Sequence, residues 1–405
     1  MAIEVKSTGL DFSPLHETMQ AYVDKDVIPF ANSIVMQGTD VVDLHFYPGA
    51  SLESGRPLAE DSIFRMNSST KIACSIALMQ LWEAGLFKLD DSVDDYIPAL
   101  ANMRVLQTGA TSIDQIEPAK DSIKINQLLS HTAGLSYAFV EPESLIDTAY
   151  NQAGINPFIP NSSLTLESLC HELGELPLAY QPGTFWRYSF ATDVCARLVE
   201  VLSGKRFDEY LKAHIFEPLG MEDTDFFVPT EKIDRLTTLF MPDDPTDPMS
   251  SCTTVMDSPA STSLGKLPSF LSGGGGLMST LTDYLTFSKM IMAGGEWNGT
   301  RVIQAATLDL MRTDQCPEGV NVNFLMWNMP GTGFGLGFAI KKEPSKGEPD
   351  SVTGEYHWGG IAGTHFWWSP KANLAGICMT QRMPAFWHPF SQEFKQHAYQ
   401  IAGQQ

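Results

Sequence analysis

A serine and a lysine three residues apart, Ser68-Ser69-Thr70-Lys71, open the stretch NSSTKIACSIALMQLWEA over 67–84. On a helix, that spacing puts both side chains on one face, where they can meet. A serine hydroxyl is a poor nucleophile until a base takes its proton, and a lysine in a partly desolvated pocket can have its pKa lowered enough to be that base. The free N–H groups at a helix start favour the oxyanion that forms when the hydroxyl attacks a carbonyl. The spacing recurs at Ser263-Leu264-Gly265-Lys266, in a Gly- and Pro-rich stretch with no helix pattern after it, which reads as surface loop.

Two further segments carry candidate chemistry. In PGTFWRYSFATDVCARLVE, Tyr188 stands at a turn before a helical pattern, and a phenol near a lysine can relay a proton between nucleophile and leaving group. Packing at a helix start is its structural alternative. In His357-Trp358-Gly359-Gly360, on an expected strand, glycines let the backbone approach a substrate and offer an N–H donor. A strand-end turn would use the same residues.

The elements that must position these groups follow from pattern. FSPLHETMQAYVDKDV has apolar residues at helical spacing, and SIVMQGTDVVDLHFYPGA reads as two strands joined at Gly38-Thr39. The strongest helix expectation is 67–84, where Ser and Thr can cap the start. From about Leu86 to Leu267, helical stretches alternate with Pro- and Gly-rich loops, and linkers are expected between Met241 and Ser272. After Gly273 to Gly276 come a helix-like TLTDYLTFSKMIMAG, extended segments GFGLGFAIKK, YHWGG, THFWWSP and LAGICMTQ, and a helical tail from about Pro389. Strand pattern at both ends and helix in the middle imply a split α/β domain, 1–85 with 268–405, and an inserted mainly helical domain, 86–267, with the active site in the cleft between them.

At 405 residues the chain can bury a large core without disulfides, and 43% apolar with 18% charged residues is ordinary globular composition. No run of about 18 apolar residues offers a membrane span, and the start MAIEVKSTGLDFSP lacks the pattern of a secretory signal, so a soluble, cytoplasmic protein is expected. A net charge of −22 without a basic stripe argues against nucleic acid and anionic membranes as partners and favours a neutral or cationic substrate. Cys74, Cys170, Cys195, Cys252, Cys316 and Cys378 form no CxxC pair and read as reduced core thiols. No metal site and no cofactor are implied. His171-Glu172 lacks the second histidine of a zinc motif, and GxSxG is absent, which disfavours a Ser–His–Asp hydrolase.

Taken together, in this order and spacing, the three segments resemble the penicillin-recognising serine enzymes: serine β-lactamases of the AmpC type, D-Ala-D-Ala peptidases of the penicillin-binding-protein kind, and the related family VIII carboxylesterases. The likeness runs along nearly the whole chain, through LLSHTAGL at 128–135, YQPGTFWRYS at 180–189, EPLGMEDT at 217–224 and SGGGGLMST at 272–280. It implies an α+β fold with an antiparallel sheet flanked by helices. It also implies Ser68 as nucleophile, Lys71 as its base, Tyr188 as the tyrosine of a Tyr-x-Asn element, and an oxyanion hole from the N–H groups of Ser68 and Gly360. His131 and the Gly273 to Gly276 run are expected to be structural.

Two departures from the pattern select among members. Phe190 stands where the element has Asn, so amide recognition loses a partner, and His357-Trp358-Gly359 stands where lactamases and peptidases have Lys-Thr-Gly, which removes a fixed cation for a substrate carboxylate. A Trp-Gly-Gly form is similar to the esterase branch. His357, Trp358, Gly359, Phe190 and Trp186 are therefore the expected substrate contacts, and Phe185, Trp367 and Trp368 further candidates for an apolar pocket, with Trp367 and Trp368 on opposite faces if they share a strand. The expectation is a serine carboxylesterase acting on a small-molecule ester. The alternatives are an acyltransferase of secondary metabolism, since fungal enzymes that finish polyketides resemble this scaffold too, a β-lactamase or D-amino-acid amidase, and a non-catalytic binding protein on the same scaffold.

Overall fold

The computed structural model describes residues 3–49, 55–157, 163–324, 329–386 and 388–402. Its centre is a seven-stranded antiparallel sheet in the order Thr332–Phe334, Ala339–Lys341, Tyr356–Gly359, Thr364–Ser369, Leu374–Met379, Ala31–Gln37, Asp40–Tyr47. The two ends of the chain meet inside it: Asn32 pairs with Met379 and Gln37 with Leu374. The hairpin between the first two strands turns at Gly38, whose φ of +58° is one that glycine adopts without a Cβ penalty.

Every residue of Thr364–Ser369 and Leu374–Met379 is buried, because each face of the sheet is covered. One face takes helices Ser13–Asp24 and Pro389–Ala402, which enclose Val35, Trp367 and Cys378 with Leu15, Met19, Phe390 and Phe394. The opposite face holds Ile34, Phe366, Trp368 and Ile377 in the main core with helix Thr70–Glu83. Adjacent Trp367 and Trp368 thus enter different cores, as the two-residue period of a strand requires.

Helix Thr70–Glu83 has buried residues on all sides, which suits a helix enclosed between the sheet and the intervening helical region. Its start differs from expectation. No Ser or Thr side chain caps it; a 3₁₀ turn, Asn67–Ser69, leads directly into it. The hydroxyls instead fasten the turn to its neighbours: Ser69 Oγ lies 3.1 Å from Thr364 Oγ1, and Thr70 Oγ accepts from the Leu277 N–H at 3.1 Å. Tyr284 adds a hydrogen bond to the Ser69 carbonyl at 2.6 Å.

Between Leu86 and Leu267 the described residues include helices Ile125–Leu129, Leu145–Gln152, Leu166–Gly174, Ala191–Ser203 and Phe207–Leu211. Within the stretch expected to be linker, Thr254–Asp257 pairs with Leu239–Met241 as a hairpin. Its alternation was hidden because Thr254, Val255 and Met256 are all exposed. Among the described residues, no helix is long and apolar enough to cross a membrane and no group of His, Cys, Asp or Glu could hold a metal ion. All six cysteines are free thiols.

Candidate active site

The 3₁₀ turn carries Ser68. Asn67 before it has φ +44°, a left-handed conformation that Asn tolerates better than most side chains, and the turn presents Ser68 to a cavity of about 220 Å³. Lys71, one helical turn on, is buried with its Nζ 3.4 Å from Ser68 Oγ, 3.1 Å from Tyr137 OH and 2.7 Å from the Gly274 carbonyl. The Nζ also stands 4.5 Å from the centre of the Tyr188 ring. Burial lowers the Lys71 pKa to about 7, against the opposing pull of the Asp193 carboxylate. At neutral pH a large fraction of this lysine is therefore an amine, which can accept a proton.

Tyr188 precedes helix Ala191–Ser203, lines the cavity and accepts a hydrogen bond from Trp358 Nε1 at 3.3 Å. Burial pushes its pKa well up, although hydrogen bonds with Ser68 and Trp358 favour the phenolate. It is thus a neutral phenol, a proton donor rather than a base. His131 supports it from behind, with its ring centre 4.9 Å from that of Tyr188 and Nδ1 3.1 Å from Ser189 Oγ; burial pushes the His131 pKa well down, so the ring is neutral.

Several expected contacts lie elsewhere. His357 is buried on the far face of its strand, with Nδ1 3.2 Å from Glu355 Oε1; Trp358, one residue on, points to the site, because neighbouring strand residues face opposite ways. Trp358 does not itself line the cavity: it is fully buried and backs Tyr188 through the hydrogen bond from its Nε1. Phe190 does not line the cavity: its ring is buried 4.4 Å from that of Tyr137 and 6.3 Å from that of Tyr150, in the core. Trp186 is likewise behind the wall, stacked on Tyr188 at 6.2 Å. Gly359 answers packing, since a Cβ there would stand 2.9 Å from His365 Cδ2.

Gly360 also differs from expectation. Its N–H donates to the Thr364 carbonyl at 2.6 Å, closing the turn between two strands, and so does not face a reacting carbonyl. The next residue, Ile361, lines the cavity.

Other residues of the site were not expected there from sequence. The apolar wall is Phe139, Pro157, Phe270, Phe324, Ile361 and Phe386, rather than Phe185, Trp367 or Trp368. Tyr137, two residues beyond LLSHTAGL, contacts Lys71, and within the run expected to be structural Gly274, Gly275 and Gly276 supply cavity wall and Gly274 the carbonyl that receives Lys71. Proximity of Tyr137 to a quoted segment was the one available signal; the four phenylalanines gave none, being drawn from four separate stretches.

Fold and site together define a serine hydrolase or acyltransferase of the β-lactamase fold. A family profile described as Beta-lactamase matches residues 15–393, and the chain belongs to that family. The chain is 31% identical over 370 residues to Protein Rv1367c of Mycobacterium tuberculosis, covering 89% of this chain and 88% of that one. It is 28% identical over 381 residues to a lovastatin esterase of Penicillium rubens, covering 89% and 90% of the two chains. Among solved structures, EstCE1, a hydrolase with promiscuous acyltransferase activity, superposes with a TM-score of 0.78 at 24% identity over 95% of this chain and 98% of that one.

Proposed function

We propose that the protein hydrolyses neutral carboxylic esters through an acyl-enzyme on Ser68, in a site between the split sheet domain, 1–85 with 268–405, and the helical domain, 86–267. The observation that carries this reading is the buried Lys71, with a pKa lowered to about 7 and its Nζ 3.4 Å from Ser68 Oγ. The Lys71 amine takes the Ser68 proton as Oγ attacks the ester carbonyl carbon. The resulting oxyanion is held at the 67–69 turn by the Ser68 N–H and, in place of Gly360, by that of Ile361. As the intermediate collapses, Tyr188 gives its proton to the departing alkoxide and is reprotonated by the Lys71 ammonium. Water then attacks the acyl carbon, with its proton returning through the same pair, and Ser68 is released.

Ester rather than amide or lactam substrates are supported by the absence of any charged side chain among the described residues that line the cavity and by the position of Phe190 in the core. A lactam carboxylate would meet no cation among the described residues that line the cavity. Alcohol in place of water as acyl acceptor is the second reading, favoured by the apolar wall, which limits water around the acyl-enzyme, and by the likeness to a hydrolase with acyltransferase activity. An aryl ester assayed with and without added alcohols separates the two by product. A fluorophosphonate probe should label Ser68 in the wild-type protein; no adduct there, with the protein folded, would favour a binding protein on this scaffold.

A further inference from the structure

Lys71 has three polar partners, and two of them are themselves anchored on one carboxylate. Asp193 lies in the first turn of helix Ala191–Ser203, fully buried. Its Oδ1 accepts from the Gly274 N–H at 3.0 Å and from Ser272 Oγ at 2.6 Å, and its Oδ2 accepts from Tyr137 OH at 3.4 Å. The Gly274 carbonyl and Tyr137 hydroxyl are the groups that meet Lys71 Nζ at 2.7 and 3.1 Å. The fit leaves no room to spare: a Cβ at Gly274 would stand 2.5 Å from both Asp193 Oδ2 and Tyr137 OH. A buried carboxylate is costly unless its lone pairs are satisfied, and here the satisfying groups are those that hold the lysine.

We infer that Asp193 is a positioning residue for the reaction at Ser68: by fixing the Gly274 peptide and the Tyr137 hydroxyl it aims the Lys71 amine at Ser68 Oγ. The inference rests on the acyl-enzyme reading above. Asp193 also acts through charge. Around the pair stand the thiols Cys74, Cys170 and Cys195, the phenols Tyr137 and Tyr188, and the neutral His131; burial raises the Asp193 pKa, opposed by Lys71 and by the donors from Ser272, Gly274 and Tyr137, and in its ionised form Asp193 favours the Lys71 ammonium.

The test is the pH profile of aryl-ester hydrolysis by wild type, Asp193→Asn and Ser68→Ala. Asp193→Asn keeps the shape but removes the charge and turns one accepting atom into a donor. The expected result is kcat lower by about a hundredfold, the scale of a misplaced catalytic group, with KM within about threefold. The acid limb should move to lower pH, because Lys71 without its anion loses its proton more readily. Wild-type kcat and an unmoved acid limb in a folded Asp193→Asn enzyme, with Ser68→Ala inactive, would overturn the inference and leave the acyl-enzyme standing. Activity in Ser68→Ala would instead remove the acyl-enzyme reading. If Asp193→Asn does not fold, Tyr137→Phe and Ser272→Ala each break one arm; kcat should fall about tenfold in each at constant KM, as expected for lost alignment. An unchanged kcat in both would overturn the inference.

Discussion

Two buried lysines of this protein are held in opposite states. Lys71 meets a hydroxyl, a phenol and a carbonyl, and burial lowers its pKa to about 7. Lys395, beneath the other face of the sheet, meets Glu348 Oε1 at 3.0 Å and Glu355 Oε1 at 3.1 Å, and those carboxylates raise its pKa against the opposing effect of desolvation. Burial removes water from both; the direct anion decides which stays charged. The first lysine can move a proton, while the second ties helix Pro389–Ala402 to the strand that carries Trp358. Tyr399 reinforces that tie with a 2.8 Å hydrogen bond to Glu355 Oε2.

The sharpest way to break this contrast is to delete each amine. Lys71→Met should reduce kcat/KM for an aryl ester about a thousandfold, within the range for loss of a general base, and leave thermal stability equal or higher. Lys395→Met should do the reverse: unfolding free energy lower by about 3–5 kcal/mol, as when one partner of a buried pair is removed, with kcat per folded molecule within about twofold. Urea unfolding and ester assays on the same preparations give both readings, and a stability loss in Lys71→Met as large as that in Lys395→Met would show that the two lysines play one role.

The contrast extends to pH. In the proposed reaction Lys71 must be unprotonated to take the Ser68 proton, so kcat/KM should fall as pH drops through about 7. Glu355 behaves oppositely in sign: its pKa is lowered from 4.5 to about 2, chiefly by Lys395 working against desolvation, so the stability it contributes is present above 4.5 and is lost between there and about 2. Between pH 5 and 6 the protein should therefore be folded and slow, roughly a pH unit or more below the base's midpoint. Circular dichroism and rate measured across one pH series check this, and coincident loss of signal and activity would contradict it. Linkage adds a second sign for Lys71. Its lowered pKa means that the unfolded chain binds more protons between about 7 and 10.5, so its burial destabilises most below 7 and less as pH rises.

Smaller effects sharpen the division between the two faces of strand Tyr356–Gly359. Trp358→Phe removes the 3.3 Å hydrogen bond to Tyr188 and should reduce kcat by about three- to tenfold, the kinetic equivalent of one neutral hydrogen bond. His357→Gln should leave kcat within about twofold and cost about 1–2 kcal/mol of stability through the Glu355 contact. A kinetic defect in His357→Gln larger than that in Trp358→Phe would reverse the assignment of faces. Least of all, Asn67→Gly should retain activity and change stability by a few tenths of a kcal/mol, since both residues accept the left-handed conformation at φ +44°. Asn67→Val, β-branched at that φ, should lose more, and the two melting curves measure the difference.

What could be read in the residues themselves was local in sequence. Ser68 and Lys71 lie one helical turn apart, so spacing alone brings them together, and the long apolar run that follows made the helix plain. The strands at both ends were evident for the same reason: a period is a property of neighbours. Which side of the period faces the chemistry is another matter. His357 and Trp358 occupy consecutive positions, and the sheet's register against Ala339 and Thr364–Ser369 decides that the indole reaches Tyr188 while the imidazole meets Glu355.

The donor at Gly360 was misread because a turn hydrogen bond to Thr364 claims its N–H, and such a bond exists only once the two strands are paired. The sequence by itself determined the pairing of nucleophile and amine, the placing of Tyr188 before a helix, and the return of the chain to a sheet at its end. Tertiary structure alone decided the rest: the apolar wall of Phe139, Phe270, Phe324 and Phe386, and the meeting of Asp193, Tyr137 and Gly274 around Lys71. The physical reason is desolvation. The Lys71 pKa falls because separate stretches of chain exclude water from it without placing a carboxylate in contact, a condition set by packing over long sequence separations and carried by no single segment.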